Sequence, residues 1–404
     1  MNKKDLKHLF LIFVIFIAAC IETDIYLPAF PDMMLFFSVS EETIQSLLTW
    51  NFIGLCISGP FYGPISDSFG RKRPLMVALG LFLAGSILTL FAQSFSLMLW
   101  GRVLQGLGSG GCFTLGTAIL FDAFREKKAI QALNKINSIA PFVMAAAPLV
   151  GGYLNHVFGF RSNFVAIAVF VLISFILCGC FFDETLPKEK RSSFCGHKIF
   201  NDFKQVFFCL PFWQLTLIVT LLFAGYLTFL SEASVLFVME LGVSKQFFPY
   251  YQAAVIGGWL LASLTCTYSI ERWGTQTVKT SGMCFTVVGG LGLFVTALMT
   301  PHDPLYLTIP MIFFAFGFNW TQTPYVGEVM EVLPKIKGIT ASVLTSTRLL
   351  LTAMIVELTS HFYNGTVYPL AFMILGITAI VLPIMIVYEK KVVQKSQTRL
   401  ETLY

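Results

Sequence analysis

Four of the ionisable side chains within long apolar stretches of the sequence are candidates for chemistry. Glu22 and Asp24 are two residues apart in the first stretch, Arg102 lies in a later one, and Glu232 lies in the second half of the chain. A carboxylate removed from water favours its neutral form and can exchange a proton, whereas arginine keeps its charge and needs an acceptor. These residues therefore indicate proton exchange in an apolar setting, which makes Asp24, Glu22 and Arg102 the candidate proton-coupling residues.

Asp24 is the first candidate because it lies deep in its stretch. It comes roughly fifteen residues in, about 22 Å along a helix. Glu22 points about 200° away from Asp24, so the two cannot face one cavity unless the helix unwinds, which Pro28 would permit. Glu22 could instead pair with a neighbouring helix or extend outward.

The two other ionisable residues each have two interpretations. Arg102 either tunes a carboxylate of the first helix or binds backbone carbonyls as a structural centre. Glu232 either binds a cationic substrate or a second proton, or it is solvated near a helix end. Charges within apolar spans are costly and are by default functional candidates.

The elements that must position these residues are helices in a membrane. Of the 404 residues, 56% are hydrophobic and only 12% are charged, whereas a soluble domain has about 25% charged residues. About 20 apolar residues cross a bilayer, and each span must be helical to satisfy its backbone. The predicted spans are 8–30, 43–63, 75–93, 97–120, 131–153, 163–182, 212–233, 247–269, 277–299, 305–327, 339–361 and 367–388.

Charge distribution gives the topology. With these twelve spans, 23 of the 27 Lys and Arg residues fall on the side of the chain termini and two on the other side. Because positive loops stay in the cytoplasm, both termini are predicted to be cytoplasmic. The first apolar run continues to about Pro28, so it is interpreted as a helix and not as a cleaved signal peptide.

The longest polar stretch divides the chain. It gives an N-terminal six-helix bundle at 1–182, a cytoplasmic linker at 183–209 and a C-terminal six-helix bundle at 210–404. Asp67 and Gly70 recur as Glu271 and Gly274, each 204 residues later. The repeat indicates two related halves, a common transporter plan.

The loop between the second and third spans is a candidate conformational latch. It reads GPISDSFGRKRP at residues 63–74 and contains Gly63, Asp67, Gly70, Arg71 and Lys72. Its glycines allow tight turns, and Asp67 can pair with Arg71 or cap a helix. Such contacts could hold the halves together on the cytoplasmic side. The basic run could alternatively serve only to orient the helices.

This loop resembles the signature of the major facilitator superfamily. Further segments resemble the Bcr/CflA group of drug–proton antiporters: TDIYLPAFP at 23–31, GRVLQG at 101–106, PLVGG at 148–152 and GITAS at 338–342. The third contains Pro148, Gly151 and Gly152 of an antiporter-like helix 5 motif, although Val143 and Ala147 replace its favoured glycines. The resemblance implies an all-α polytopic protein with the major facilitator fold, and proton-coupled export of small amphipathic or cationic compounds.

Polar and aromatic residues in spans near the axis are candidates for a substrate cavity. They are Trp50, Asn51, Asn137, Tyr226, Glu232, Gln252, Asn319, Trp320 and Gln322. The alternatives are a dedicated metabolite or siderophore exporter, a proton symporter, or a membrane sensor that transports nothing.

Other function classes lack support in the sequence. The nine cysteines are scattered, and no metal cluster, HExxH or Walker spacing occurs. We therefore expect no enzyme, no metal, no cofactor and no nucleic-acid partner. The expected partners are a small-molecule substrate, protons and the lipid bilayer, for a monomer in the bacterial inner membrane.

Overall fold

The computed structural model describes residues 3–124, 139, 142–143, 146–191, 196–299, 303–333 and 336–401. The regular structure of these residues is helical. The helices are α1 (Lys3–Asp24), α2 (Phe30–Phe37), α3 (Glu41–Phe69), α4 (Lys72–Leu90), α5 (Phe95–Ala123), α6 (146–158), α7 (Arg161–Phe181), α8 (Gly196–Phe207), α9 (Leu210–Val235), α10 (Phe248–Trp273), α11 (Thr275–Leu298), α12 (Leu305–Val332), α13 (Lys337–His361) and α14 (Tyr368–Glu401).

Nearly every predicted span coincides with one of these helices to within a few residues. The span 131–153 is described only in part and corresponds to α6. Within the described part of the chain, nine helical stretches are long and apolar enough to cross a membrane. The protein is therefore an all-helical, multi-pass membrane protein.

The first span differs from its prediction as a single helix. α1 ends at Asp24, a short 3-10 turn follows at Leu27–Ala29, and α2 begins at Phe30. Pro28 lies in the 3-10 turn, and Pro31 lies in the first turn of α2. Proline has no backbone N–H to donate to the preceding turn, so the helix is interrupted directly after Asp24.

The segment 183–209 contains a helix that the sequence analysis did not predict. α8 occupies Gly196–Phe207. Its apolar residues recur at helical spacing, with Val206 buried and Phe207 exposed. Polar residues between them concealed this pattern in a search for long apolar runs.

Glycines of α5 set the close packing of the N-terminal half. A Cβ at Gly106 would overlap the carbonyl oxygen of Asn51 on α3, and one at Gly108 would overlap Phe82 on α4. Small residues let helix backbones approach closely within a membrane. α5 therefore lies against both α3 and α4, and Arg102 on α5 lies between helices and away from lipid.

The two ends of the bundle are defined by these contacts. The end where α1 begins and α3 ends is called the terminal end, and the end where α1 ends and α3 begins is called the far end. At the terminal end, Arg71 donates from Nε to Asp122 at 2.6 Å and from Nη1 to Asp67 at 2.7 Å. The backbone N–H of Arg71 also donates to Glu184 at 2.8 Å.

A matching cluster lies at the terminal end of the other half. Lys279 at the start of α11 is 2% exposed and pairs with Glu328 on α12. It also pairs with Glu389 on α14 at 2.9 Å. Lys279 corresponds to Arg71 near the start of the helix that follows the loop. Glu328 corresponds to Asp122 near the end of the next helix, and Glu389 corresponds to Glu184 near the end of the last apolar span of its half. Each cluster thus holds a basic residue between two carboxylates.

Side-chain contacts join the two halves at the far end. Gln45 on α3 donates to the carbonyl of Ser231 on α9 at 3.0 Å. The other pairs there are Asp32 with Lys245, His156 with Gln246 at 2.6 Å, and Glu42 with His361 at 2.7 Å. The far end is therefore closed in this structure.

Candidate proton-coupling and substrate site

A buried ion pair lies at the centre of the N-terminal half. Glu22 on α1 and Arg102 on α5 are each 0% exposed, and Oε1 lies 3.0 Å from Nη1. Asn51 on α3 donates from Nδ2 to the same Oε1 at 2.6 Å and to the carbonyl of Arg102 at 3.2 Å. Three helices thus supply one charge-assisted network, which a buried ion pair requires.

Further contacts fix the guanidinium of Arg102. Nη1 donates to Gln105 Oε1 at 2.7 Å, and Gln105 Nε2 donates to Ser86 Oγ on α4 at 3.1 Å. The guanidinium carbon also lies 4.1 Å from the ring centre of Tyr26. The sequence analysis missed Gln105, Ser86 and Tyr26, although the three-residue spacing of Arg102 and Gln105 would have predicted that contact.

Asp24 is separate from this network. It is the last residue of α1 and is 2% exposed. Its Oδ2 has no hydrogen-bond partner among the described residues, and its charge acts on Tyr226 on α9 of the other half. The structure thus pairs Arg102 with Glu22, and it places Asp24 between the halves without a cation partner in the described chain.

The helix 5 motif packs against the break in the first span. Pro148, Gly151 and Gly152 on α6 are buried. A Cβ at Gly151 would overlap the carbonyl oxygen of Ile25, and one at Gly152 would overlap Pro249 on α10. These glycines therefore bring α6 against the residue after Asp24 and against the second half.

Several substrate candidates lie together in the second half. Tyr226, Gln252, Asn319 and Gln322 are each at most 8% exposed. The rings of Tyr226 and Phe318 are 4.8 Å apart. Both amide atoms of Gln252 and Oε1 of Gln322 are buried and have no hydrogen-bond partner within the described chain.

The remaining candidates lie elsewhere. Trp50 is 39% exposed and lies beside Trp100 at the surface, with ring centres 6.3 Å apart. Trp320 on α12 packs against α10, where its Nε1 donates to the carbonyl of Ala262 at 3.1 Å. Asn51 belongs to the Glu22 network, and Glu232 lies at the far end. Asn137 lies outside the described residues.

A cavity of about 450 Å³ opens between α3 and α13. Its polar groups include Glu357, which accepts a hydrogen bond from Thr49 at 2.9 Å, and Glu42. Its apolar lining consists of Ile53, Leu350, Ala353, Met354 and Leu358. The volume suits a drug-sized molecule, and the carboxylates favour a cation. The sequence analysis did not assign Thr49 or Glu357 to a cavity, because that requires knowing how α3 and α13 pack.

Comparison with known proteins identifies the family. A family model for the Major Facilitator Superfamily matches residues 12–356. The chain belongs to this superfamily. It is therefore a membrane transporter and not an enzyme, as the sequence analysis predicted.

Curated relatives of the superfamily are similar over much of the chain. The multidrug resistance protein MdtL of Salmonella heidelberg is 28% identical over 283 residues, which cover 69% of this chain and 68% of the relative. MdtL of Salmonella paratyphi C is 27% identical over 312 residues, covering 75% of this chain and 76% of the relative.

Solved structures share the fold. The human organic anion transporter MFSD10 (TETRAN) aligns with a TM-score of 0.71 at 15% identity, over 96% of this chain and 100% of its own. The D-xylose–proton symporter aligns with a TM-score of 0.72 at 13% identity, over 93% of this chain and 97% of its own. At these identities the likeness concerns the fold alone.

The loop that resembles the superfamily signature contacts its own half. Gly70 has a φ of +88°, a conformation that suits glycine, and a Cβ there would approach Glu184. Lys72 donates to the carbonyl of Gly179 at 3.3 Å, whereas a Cβ at Gly63 would meet open space. The hydrogen bonds of Arg71 and Lys72 therefore join this loop to α5, to α7 and to Glu184 just after α7.

Glu184 anchors this loop from outside the membrane-spanning helices. Partial burial raises the pKa of its carboxyl group, but backbone N–H groups of Arg71, Leu186 and Lys72 donate to it and outweigh burial. The net effect holds the pKa of Glu184 below its ordinary value. The carboxylate thus stays ionised and ties the end of α7 to the start of α4.

Proposed function

We propose that this protein is a proton-coupled exporter of small amphipathic or cationic compounds in the bacterial inner membrane, working by alternating access. The observation that supports this most is the contrast between two neighbouring carboxylates. Glu22 is neutralised by Arg102, whereas Asp24 is buried between the halves without such a partner. A carboxylate in that position is suited to bind and release a proton.

The proposed architecture has twelve spanning helices with both termini in the cytoplasm. The units are a six-helix bundle at 1–182, a cytoplasmic linker at 183–209 and a second six-helix bundle at 210–404. The strong charge asymmetry of the sequence supports this orientation. The terminal end is then proposed to be cytoplasmic, and the contacts across the far end support an inward-facing state of a monomer in the membrane.

The proposed cycle uses Asp24 as the proton carrier. In the present state Asp24 is buried and lacks a cation, so the protonated form fits. Substrate entering from the cytoplasm or inner leaflet displaces this proton inward. The opposite opening then releases substrate and reloads Asp24 from outside. Glu22 and Arg102 hold α1 against α5 while α1 responds to the charge of Asp24, and the latch loop acts at the terminal end.

The proposed substrate class follows from the chemistry of the lining residues. Tyr226 offers an aromatic face, Gln252 and Gln322 have unpaired amide atoms, and Asn319 lies on the same helix as Gln322. Glu357 adds a carboxylate to the larger cavity, where Glu42 is paired with His361. Aromatic and acidic groups together bind organic cations. The curated relatives are multidrug resistance proteins, which agrees with such substrates.

Reconstitution in liposomes tests the proposal. We expect an imposed pH gradient to drive tetraphenylphosphonium uptake into vesicles that are acidic inside, because proteins inserted in inverted orientation would exchange it for protons. Asp24→Asn should abolish gradient-driven uptake, since the amide cannot carry a proton. Asp303→Asn, at an exposed carboxylate between α11 and α12, should transport as the parent does.

Two outcomes would contradict the proposal. Equal gradient-driven uptake by Asp24→Asn and the parent would exclude the coupling role of Asp24. Movement of the compound together with protons would establish symport instead of export. If neither the parent nor Asp303→Asn responds to the gradient with any of a panel of organic cations, the assignment as an exporter of this class fails.

A further inference from the structure

A small cavity lies between the two halves at the far end. It holds about 10 Å³, which is room for roughly one water molecule. It is lined by Glu41 and Gln45 of α3, Glu232 and Val235 of α9, Ser360 of α13, and Tyr363. The cavity is separate from Asp24 and from the Glu22 network, so the proposed coupling mechanism leaves its acidic groups unexplained.

Glu232 faces this cavity without a polar partner. It is 2% exposed, and neither carboxyl oxygen has a hydrogen-bond partner in the described part of the chain. Oε1 of Gln45 and the hydroxyl groups of Ser360 and Tyr363 in the same cavity also have no hydrogen-bond partner among the described residues. A proton on Glu232 would supply a donor where acceptor oxygens are unpaired, and it would remove an uncompensated buried charge.

The charged groups around Glu232 oppose its ionisation. Glu41 on α3 acts on it electrostatically, and Glu240 after α9 acts on Glu41. The remaining titratable group in the cavity is the phenol of Tyr363. The basic side chains on neighbouring elements contact other groups: His361 contacts Glu42, Lys245 contacts Asp32, and Arg348 lies over the ring of Phe223.

The position of Glu232 couples its charge to closure of the far end. Its neighbour Ser231 accepts the hydrogen bond from Gln45 that joins the halves. Separating α3 from α9 and α13 would break this contact and admit water to the carboxyl group. Closure removes that water. Removing water from an ionised carboxylate has a large free-energy cost, so an ionised Glu232 would oppose closure.

We propose that Glu232 is a second proton-binding site, which must be protonated for the far end to close. It binds its proton when water at the far end reaches it, and it releases the proton to the same side when the halves separate. It therefore adds a pH dependence to closure and leaves unchanged the number of protons carried across the membrane. The proposal rests on the alternating-access function proposed above.

Amide hydrogen exchange tests this site without any substrate. We would compare exchange of peptides containing residues 36–48 and 228–241 in purified protein across a range of pH, with each rate divided by the intrinsic rate at that pH. In the parent, we expect protection of both peptides at low pH and its loss as pH rises. Glu232→Gln should keep them protected, with exchange at least about tenfold slower than in the parent at the alkaline end.

Control variants separate this site from others. Asp24→Asn and Asp303→Asn should retain the parent's pH transition at the far end. If the glutamine variant does not fold, Glu232→Met has a similar volume without the carboxyl group and is expected to give the same flat, protected profile. The proposal is overturned if the parent shows no pH transition, or if the folded variant lacking the carboxyl group shows the same transition as the parent.

The result is distinguishable from a failure of the proposed function. A transition lost only in the Glu232 variants, together with no gradient-driven transport by the parent, would support the proton site and contradict the exporter. Transport that depends on Asp24, together with an unchanged transition in Glu232→Gln, would support the exporter and contradict the proton site.

Discussion

Removing the partners of the Glu22–Arg102 pair one at a time should reveal an asymmetry between them. Both side chains are fully buried with 3.0 Å between Oε1 and Nη1. Leaving one buried charge unpaired costs about 3–5 kcal/mol of unfolding free energy. Glu22→Gln leaves Arg102 charged at any accessible pH, because its guanidinium cannot be deprotonated in a protein. We therefore expect the full loss in this variant at every pH.

Arg102→Met should behave differently, because Glu22 can neutralise itself by taking up a proton. The folded variant then binds a proton that the unfolded chain has lost above a pH of about 4.3. Stability consequently falls as pH rises, by up to about 1.4 kcal/mol per pH unit while this difference persists. The double variant Glu22→Leu/Arg102→Met has no buried charge at the site and should recover most of the stability of the parent.

The measurement is denaturant unfolding in detergent micelles, followed by tryptophan fluorescence at several pH values. Arg348→Met is the matched control. Arg348 also lies in a spanning helix, but it stacks at 4.6 Å over Phe223 and has no carboxylate partner among the described residues. We expect no pH-dependent loss in this variant. The reasoning is refuted if the two single losses simply add in the double variant, or if Arg102→Met shows no dependence on pH.

Two further predictions concern packing and the terminal end. Gly106→Ala should lower the unfolding free energy by about 1–3 kcal/mol, because its Cβ would overlap the Asn51 carbonyl. A Cβ at Gly257 meets nothing within 4 Å, so Gly257→Ala should change the unfolding free energy much less. Equal shifts of the unfolding temperature of the two variants in detergent would contradict this. The pKa of Glu184 lies below the ordinary value of 4.5, so its contribution is present above that pH and is lost as pH falls through the lower value. Glu184→Gln should be less stable than the parent at neutral pH by at most about 1 kcal/mol, since the site is partly exposed. The difference should disappear in acid, and a constant difference in unfolding measurements would contradict the assigned pKa.

The sequence predicted most of the fold because bilayer thickness sets the length of an apolar helix. The predicted span 212–233 and the observed α9 illustrate the agreement. The sequence did not predict two features that are shorter than a membrane span. The break after Asp24 depends on local proline geometry, and α8 has too few consecutive apolar residues to be detected as a membrane helix.

The site could be predicted by residue type but not by orientation. Helical geometry required Glu22 and Asp24 to point apart, and the structure agrees. Which of them faces Arg102 depends on how α1 is rotated against α5, where the two helices approach closely at Gly116 of α5 and Phe16 of α1. The same limit applies to Trp50 and Trp320, whose amphipathic side chains suit a cavity, a lipid surface or a helix interface equally well.

Among the described residues, three carboxylates are buried, and they differ in whether a cation compensates their charge. This difference separates a carboxylate with a structural role from carboxylates that can exchange a proton. Arg102 compensates the charge of Glu22, and their ion pair joins α1 to α5. Asp24 is the last residue of α1 and lies near Tyr226 of the second half. It has no cation partner among the described residues. Glu232 is likewise uncompensated, but it lies where the halves close at the far end. A fixed cation beside either of the last two would stabilise the ionised form and remove the need for a proton. We therefore expect Asp24 and Glu232, which have no such cation among their described neighbours, to respond to protons more readily than Glu22, which Arg102 compensates.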